Sequence, residues 1–100
     1  MSPPLWVRFT DQAQLDLDAI RLHGINTWGP ETAEQYAQRI RQTINRLAQY
    51  PESAELYPND PETLRRALSG HHLIFYVIRP HELVVIRIFH ERQKPSFTDS

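Results

Sequence analysis

Arg65-Arg66-Ala67-Leu68-Ser69-Gly70-His71-His72-Leu73-Ile74-Phe75-Tyr76-Val77-Ile78-Arg79-Pro80-His81-Glu82-Leu83-Val84-Val85-Ile86-Arg87-Ile88-Phe89-His90 reads, with Leu64 ahead of it, as three strands separated by two turns. Its runs of β-branched and aromatic residues predict strands over Leu64–Leu68, His72–Arg79 and Leu83–His90. Ser69-Gly70 and Pro80-His81-Glu82 supply the breaks. If the second break is a three-residue loop, Arg79 faces Leu83 and positions summing to 162 lie opposite one another. His72 then faces His90, and a slip of one residue would undo that pairing.

Working outward, the chain upstream is helical. Ala33, Ala37, Ile40, Ile44 and Leu47 form one apolar stripe, polar residues cover the rest, and Pro51 stands just past the end. Gly29-Pro30 separates this helix from an earlier one, whose buried stripe is Ala13, Leu17, Ile20 and Gly24. Leu15, Ala19 and Leu22 make a second apolar line on the opposite side of that first helix, suited to a partner's amphipathic helix. Thr10 fits its N-cap, and Leu5–Phe9 reads as a short strand before it. Residues 51–62 read as an irregular surface loop, and the tail over 93–100 is expected to be mobile. The order is β-α-α-β-β-β: one α+β domain over residues 1–100, a helical hairpin packed on a small, mostly antiparallel sheet.

Composition narrows the function classes. The 100 residues carry 11 Lys+Arg against 12 Asp+Glu, a formal charge of -1, with 40% hydrophobic residues and no cysteine. No disulfide framework or thiol chemistry is available, and a reducing, cytoplasmic setting is expected. Met1-Ser2-Pro3-Pro4 lacks the basic start and apolar core of a secretory leader, and the longest apolar run, Leu73–Ile78, is far too short for a bilayer. Charge is nonetheless graded along the chain. Glu52, Glu55, Asp60 and Glu62 leave residues 51–62 purely acidic. Arg65, Arg66, Arg79, Arg87, Arg92 and Lys94 outweigh Glu82 and Glu91 further on. A near-neutral total argues against direct sequence-specific binding of nucleic acid and leaves a local basic patch.

No nucleophile elbow, phosphate loop or His-Glu-x-x-His is present. Neighbours such as His71 and His72 point to opposite faces of a strand, so no metal site is expected, nor any cofactor. One reactive cluster can be read from the residues: Arg65, His72, Arg87, His90 and Arg92, all cationic or titratable. Metal-free RNA cleavage would need Arg65 and Arg92 to steady the phosphate and His90 as acid. The base is missing, since Glu91 points away from His90 and Glu52 or Glu55 would have to come from the loop.

Arg65–Tyr76 resembles the R-x-x-L-x-G-x-H-x-I-F-Y stretch of ParE-type toxins, and Val85–Arg92 resembles their closing I-x-R-V-L-H-x-R strand. Ala13–Ile20 is similar to the A-x-x-D-L-x-x-I of that family. Trp28-Gly29, Ala33 with Tyr36, and Leu47 with Tyr50-Pro51 fall in matching order over residues 5–93. Gln93-Lys94 departs from the Met-Asp often found there. The resemblance implies a toxin of a type II toxin–antitoxin module in the RelE/ParE superfamily, with the same β-α-α-β-β-β order and a hetero-oligomer with its cognate antitoxin. Relatives on the RelE side cut messenger RNA on the ribosome; those on the ParE side poison DNA gyrase without being enzymes. The motif words, an acidic rather than lysine-bearing loop, and the net charge favour the ParE side. Target contact is then expected at Arg65, His72, Tyr76, Arg87, His90 and Arg92, and antitoxin contact at Leu15, Ala19 and Leu22. The alternatives are a RelE-like ribonuclease using Arg65, His90 and Arg92, or a non-toxic relative that keeps only the antitoxin-binding face.

Overall fold

The structure, a computed structural model, describes residues 3–58 and 63–97. Asp60 and Glu62 of the acidic segment and residues 98–100 of the tail lie outside the described residues. The elements run β1 (Trp6–Phe9), α1 (Asp11–Trp28), α2 (Pro30–Gln49), β2 (Glu55–Leu56), β3 (Arg65–Ser69), β4 (His72–Ile78) and β5 (Glu82–His90). They form an α+β fold in which two helices cover one face of a five-stranded sheet of order β1-β5-β4-β3-β2. Among the described residues only β1 with β5 is parallel; the other pairs are antiparallel.

Local chemistry explains the boundaries. Thr10 is extended (φ -67°, ψ 162°), and its hydroxyl oxygen accepts from the Ala13 N–H at 3.1 Å, capping α1. Gly29, at φ 95°, takes a conformation that L side chains rarely adopt. There its N–H closes α1 on the Ile25 carbonyl and its own carbonyl accepts from Ala33, while Pro30 opens α2.

The helix-facing core joins Ala13 and Leu17 of α1, Ile40, Ile44 and Leu47 of α2, and Ile74, Tyr76, Leu83, Val85 and Ile88 of the sheet. Each such aliphatic side chain contributes roughly 1.5–3 kcal/mol on full burial. The other face has its own cluster of Leu64, Phe75, Val77, Val84 and Phe89, flanked by Tyr57, Leu73 and Ile86.

Three sequence expectations change. Residues 51–62 are not wholly irregular: Glu55–Leu56 adds a strand to β3, pairing Glu55 with Arg66 and Leu56 with Arg65. Its ties are the 2.8 Å ion pair from Arg66 to Glu55 and the Arg65 guanidinium, which donates to the Glu52 and Ala54 carbonyls. The tail does not hang free along its whole length, because the Phe97 ring packs edge-on against Tyr57, Phe75 and Phe89. Nor does the last hairpin keep one register. Ile78 faces Leu83 and the Arg79 N–H donates to the Glu82 carbonyl, so the loop is only Pro80-His81 and the sum near the turn is 161. A bulge between Phe75 and Tyr76 then leaves Ile86 as the extra residue and returns the remaining pairs to 162.

Candidate functional site

The β3–β4 turn and the end of β5 bring His71, His72 and His90 together. His72 and His90 pair across the strands, their rings edge to face with centroids 5.2 Å apart. His71 stacks on His90 at 6.3 Å, and its Nδ1 lies 3.3 Å from Glu91. Tyr36 reaches over from α2: its hydroxyl accepts from the His71 backbone N–H at 3.0 Å and lies 2.6 Å from His72 Nδ1. Trp28 packs on Tyr36 and His23 on Trp28, with centroids 6.1 and 6.3 Å apart. Together with Ala19 and Ile20 these rings line a pocket of about 330 Å³ between α1, α2 and the sheet end. Desolvation lowers the His72 pKa from 6.5 to about 4, helped by the positive charge that His90 and His71 can carry. Among the described residues no three His, Asp or Glu side chains converge as metal ligands.

The remaining expected site residues are spread over the molecule. Tyr76 is 0% exposed, and its hydroxyl donates to the Pro51 carbonyl at 2.6 Å, so it belongs to the core and offers no surface to a target. Burial raises its pKa, against the pull of Arg65. Arg65 pairs with Tyr76 across β3 and β4, four residues from His72, which at ~3.3 Å per residue is about 13 Å along the strand. Arg65 therefore does not join His90 and Arg92 around one phosphate, and the cluster read from the sequence splits in two. Arg92 is exposed beyond β5, with its backbone N–H donating to His90 Nδ1.

Arg87 turns to α1 instead. Its Nε and Nη2 grip both Asp16 oxygens at 2.8 and 3.0 Å, and its guanidinium lies 4.4 Å from the Phe89 ring centre. The reason is the short β1, which covers β5 only from Glu82 to Val85. Past that point the open edge is satisfied from α1: Thr10 Oγ1 donates to the Ile86 carbonyl, and Asp16 accepts from the Ile88 N–H at 2.9 Å.

Leu15 and Leu22 are each 60% exposed, and Ala19 between them is exposed too, so the outer line of α1 has no cover among the described residues. Ile25 and Trp28 of the same helix are exposed as well. Sequence reading assigned no site role to His23, Trp28, Tyr36 or Asp16. The signals for Tyr36 were its place with Ala33 in the family's motif order and a large aromatic among the polar positions of α2.

Comparison with known proteins follows the same outline. The family described as "ParE toxin of type II toxin-antitoxin system, parDE" matches residues 7–95. The chain is 32% identical over 84 residues to Toxin ParE1 of Caulobacter vibrioides, which spans 84% of this chain and 86% of that protein. It is 33% identical over 88 residues to Toxin ParE of Escherichia coli, with 83% and 82% covered. A chain of the chromosomal ParDE TA system from P. aeruginosa superposes with a TM-score of 0.76 at 25% identity, over 89% of this chain and 98% of that one. Fold, motif order and relatives agree, and the chain belongs to the ParE toxin family of type II toxin–antitoxin systems.

Proposed function

We propose that this chain arrests growth by inhibiting DNA gyrase, and that a cognate antitoxin holds it inactive by covering the outer line of α1. Family membership supports the antitoxin, since the P. aeruginosa relative is part of a chromosomal ParDE TA system. The observation that carries the partner surface is the exposure of Leu15, Ala19 and Leu22 on a helix whose opposite face is buried in the core. An amphipathic segment laid there removes apolar area from water on both sides. Gyrase is favoured over transcript cleavage because Arg65 lies at the far end of β4 from His90 and Arg92, so these three do not form one cradle for a phosphorane. His90 and Arg92 remain the exposed residues for target contact.

The test runs antitoxin-free protein in gyrase supercoiling and DNA-cleavage assays, beside a ribosome-programmed transcript-cleavage assay. Inhibited supercoiling with intact transcripts is the expected result. Cut transcripts with unaffected gyrase overturn the gyrase assignment. Leu15→Glu with Leu22→Glu tests the partner surface separately: co-expressed antitoxin should no longer co-purify with, or rescue growth from, the double variant.

A further inference from the structure

Hydrogen bonds engage one ring nitrogen of each of two imidazoles in the α1–α2–sheet pocket. His90 Nδ1 accepts the Arg92 backbone N–H at 3.1 Å, so it carries a lone pair, and the ring proton of neutral His90 sits on Nε2. The Tyr36 hydroxyl already accepts from the His71 N–H, and its single proton has His72 Nδ1, 2.6 Å away, as its acceptor. With the Tyr36 proton on Nδ1, His72 is an Nε2–H imidazole as well. Two N–H donors on rings 5.2 Å apart then line one pocket, and neither Nε2 is engaged among the described residues.

No Asp or Glu lines that pocket, and the nearest carboxylate to the cluster, Glu91, is held by His71 Nδ1. The remaining walls are Ala19, Ile20, Trp28 and the Tyr36 ring, with the imidazoles of His23 and His71 beside them. Protonated Nε2 atoms repel a cation and offer a metal no lone pair, whereas they suit an oxygen acceptor. A volume of about 330 Å³ is at the small end of ligand pockets, enough for one ring with a short substituent.

We propose that this pocket binds a small planar carboxylate, its oxygens accepting from Nε2–H of His72 and His90 and its apolar body lying against Ile20 and Trp28. The site meets the outer line of α1 at Ala19 and stands whether or not gyrase is the target.

The probe is sodium benzoate, titrated into the full chain at pH 7.5 while histidine imidazole resonances are followed by NMR. Benzyl alcohol keeps the ring without the carboxylate, and acetate keeps the carboxylate without the ring. Benzoate should shift His72 and His90 saturably and leave His81, on the Pro80-His81 turn, unmoved. Charge-assisted hydrogen bonds should make it about tenfold tighter than benzyl alcohol. Contact with the ring walls should likewise make it tighter than acetate. His90→Phe should lose about tenfold in benzoate affinity, because ring volume stays and the donor goes. Cross-relaxation from benzoate protons to Trp28 and Ile20 in the unaltered chain tests the same placement without a variant. Absence of saturation, equal affinity for benzoate and either control, or a matching shift at His81 overturns the proposal.

Discussion

His72 and His90 sit ring to ring, 5.2 Å apart, because two offsets in the β4–β5 ladder cancel. The tight Pro80-His81 turn moves the ladder by one residue, and the bulge at Ile86 moves it back before the histidines are reached. The bulge lies where β1 has ended and Thr10 and Asp16 take over the free edge of β5. One structural device thus joins the strand to α1 and sets the histidine end of the sheet.

That geometry makes stability depend on pH through His72. Its folded pKa, about 4, lies below the ordinary 6.5, so the unfolded chain binds the proton more readily. The stabilisation from neutral His72 is full above pH 6.5 and is lost as pH falls toward 4. The urea midpoint should therefore drop more steeply between pH 6.5 and 4 in the wild type than in His72→Phe, whose carboxylates titrate alike. Parallel curves for the two proteins would contradict the buried, neutral assignment.

Asp16 accepts three hydrogen bonds, two from Arg87 and one from the Ile88 N–H, with the pair's side chains 15% and 24% exposed. Asp16→Ala removes all three and takes the carboxylate from the Arg87 guanidinium, so a loss of about 2–4 kcal/mol is expected. Arg87→Ala leaves Asp16 on the Ile88 N–H and should cost about 1–2 kcal/mol. Urea denaturation of the two single variants and the double variant gives the coupling directly. Any loss of toxicity in Arg87→Ala should be read against that stability change.

These results show where sequence reading had purchase. Periodicity exposed α2 and both stripes of α1, Thr10 and Gly29-Pro30 marked the ends, and the strand composition of residues 64–90 marked the antiparallel sheet. The pairing of His72 with His90 was also legible, although through a single register that the chain does not keep. Glu55–Leu56 was not legible, because two residues give no period and their strand is set by Arg65 and Arg66 from across the sheet. Charge alone grouped Arg65, Arg87 and Arg92; which carbonyl or carboxylate each guanidinium meets is a tertiary fact. Tyr36 entered the site for the same reason, 36 residues from the histidine that it contacts.

The outer line of α1 should tolerate polar change. Leu15→Glu and Leu22→Glu are each 60% exposed positions, and such substitutions usually lie within about 0.5 kcal/mol. Thermal unfolding of the double variant should match the wild type to within a few degrees. A large loss would mean that the stripe is packed within the folded chain in solution, and would remove it as a docking surface.

Gly70 provides the sharpest test of the site's construction. It stands at φ 60° in the two-residue turn between Ser69 and His72, a conformation that tight hairpins place at their first loop position and that costs other L residues energy. Space is short as well: a Cβ there would lie 2.8 Å from Tyr36 Oη, the atom that accepts from His71 and meets His72. Gly70→Ala should therefore act twice, through backbone strain and by pushing the hydroxyl off both partners, for a loss of about 1–3 kcal/mol. The informative readout is spectroscopic. With Tyr36 displaced and His72 more open to water, the His72 pKa measured by NMR should move up from about 4 toward 6.5. A destabilised variant whose His72 still titrated near 4 would show that burial by the other neighbours, and not the Tyr36 contact, holds that ring neutral.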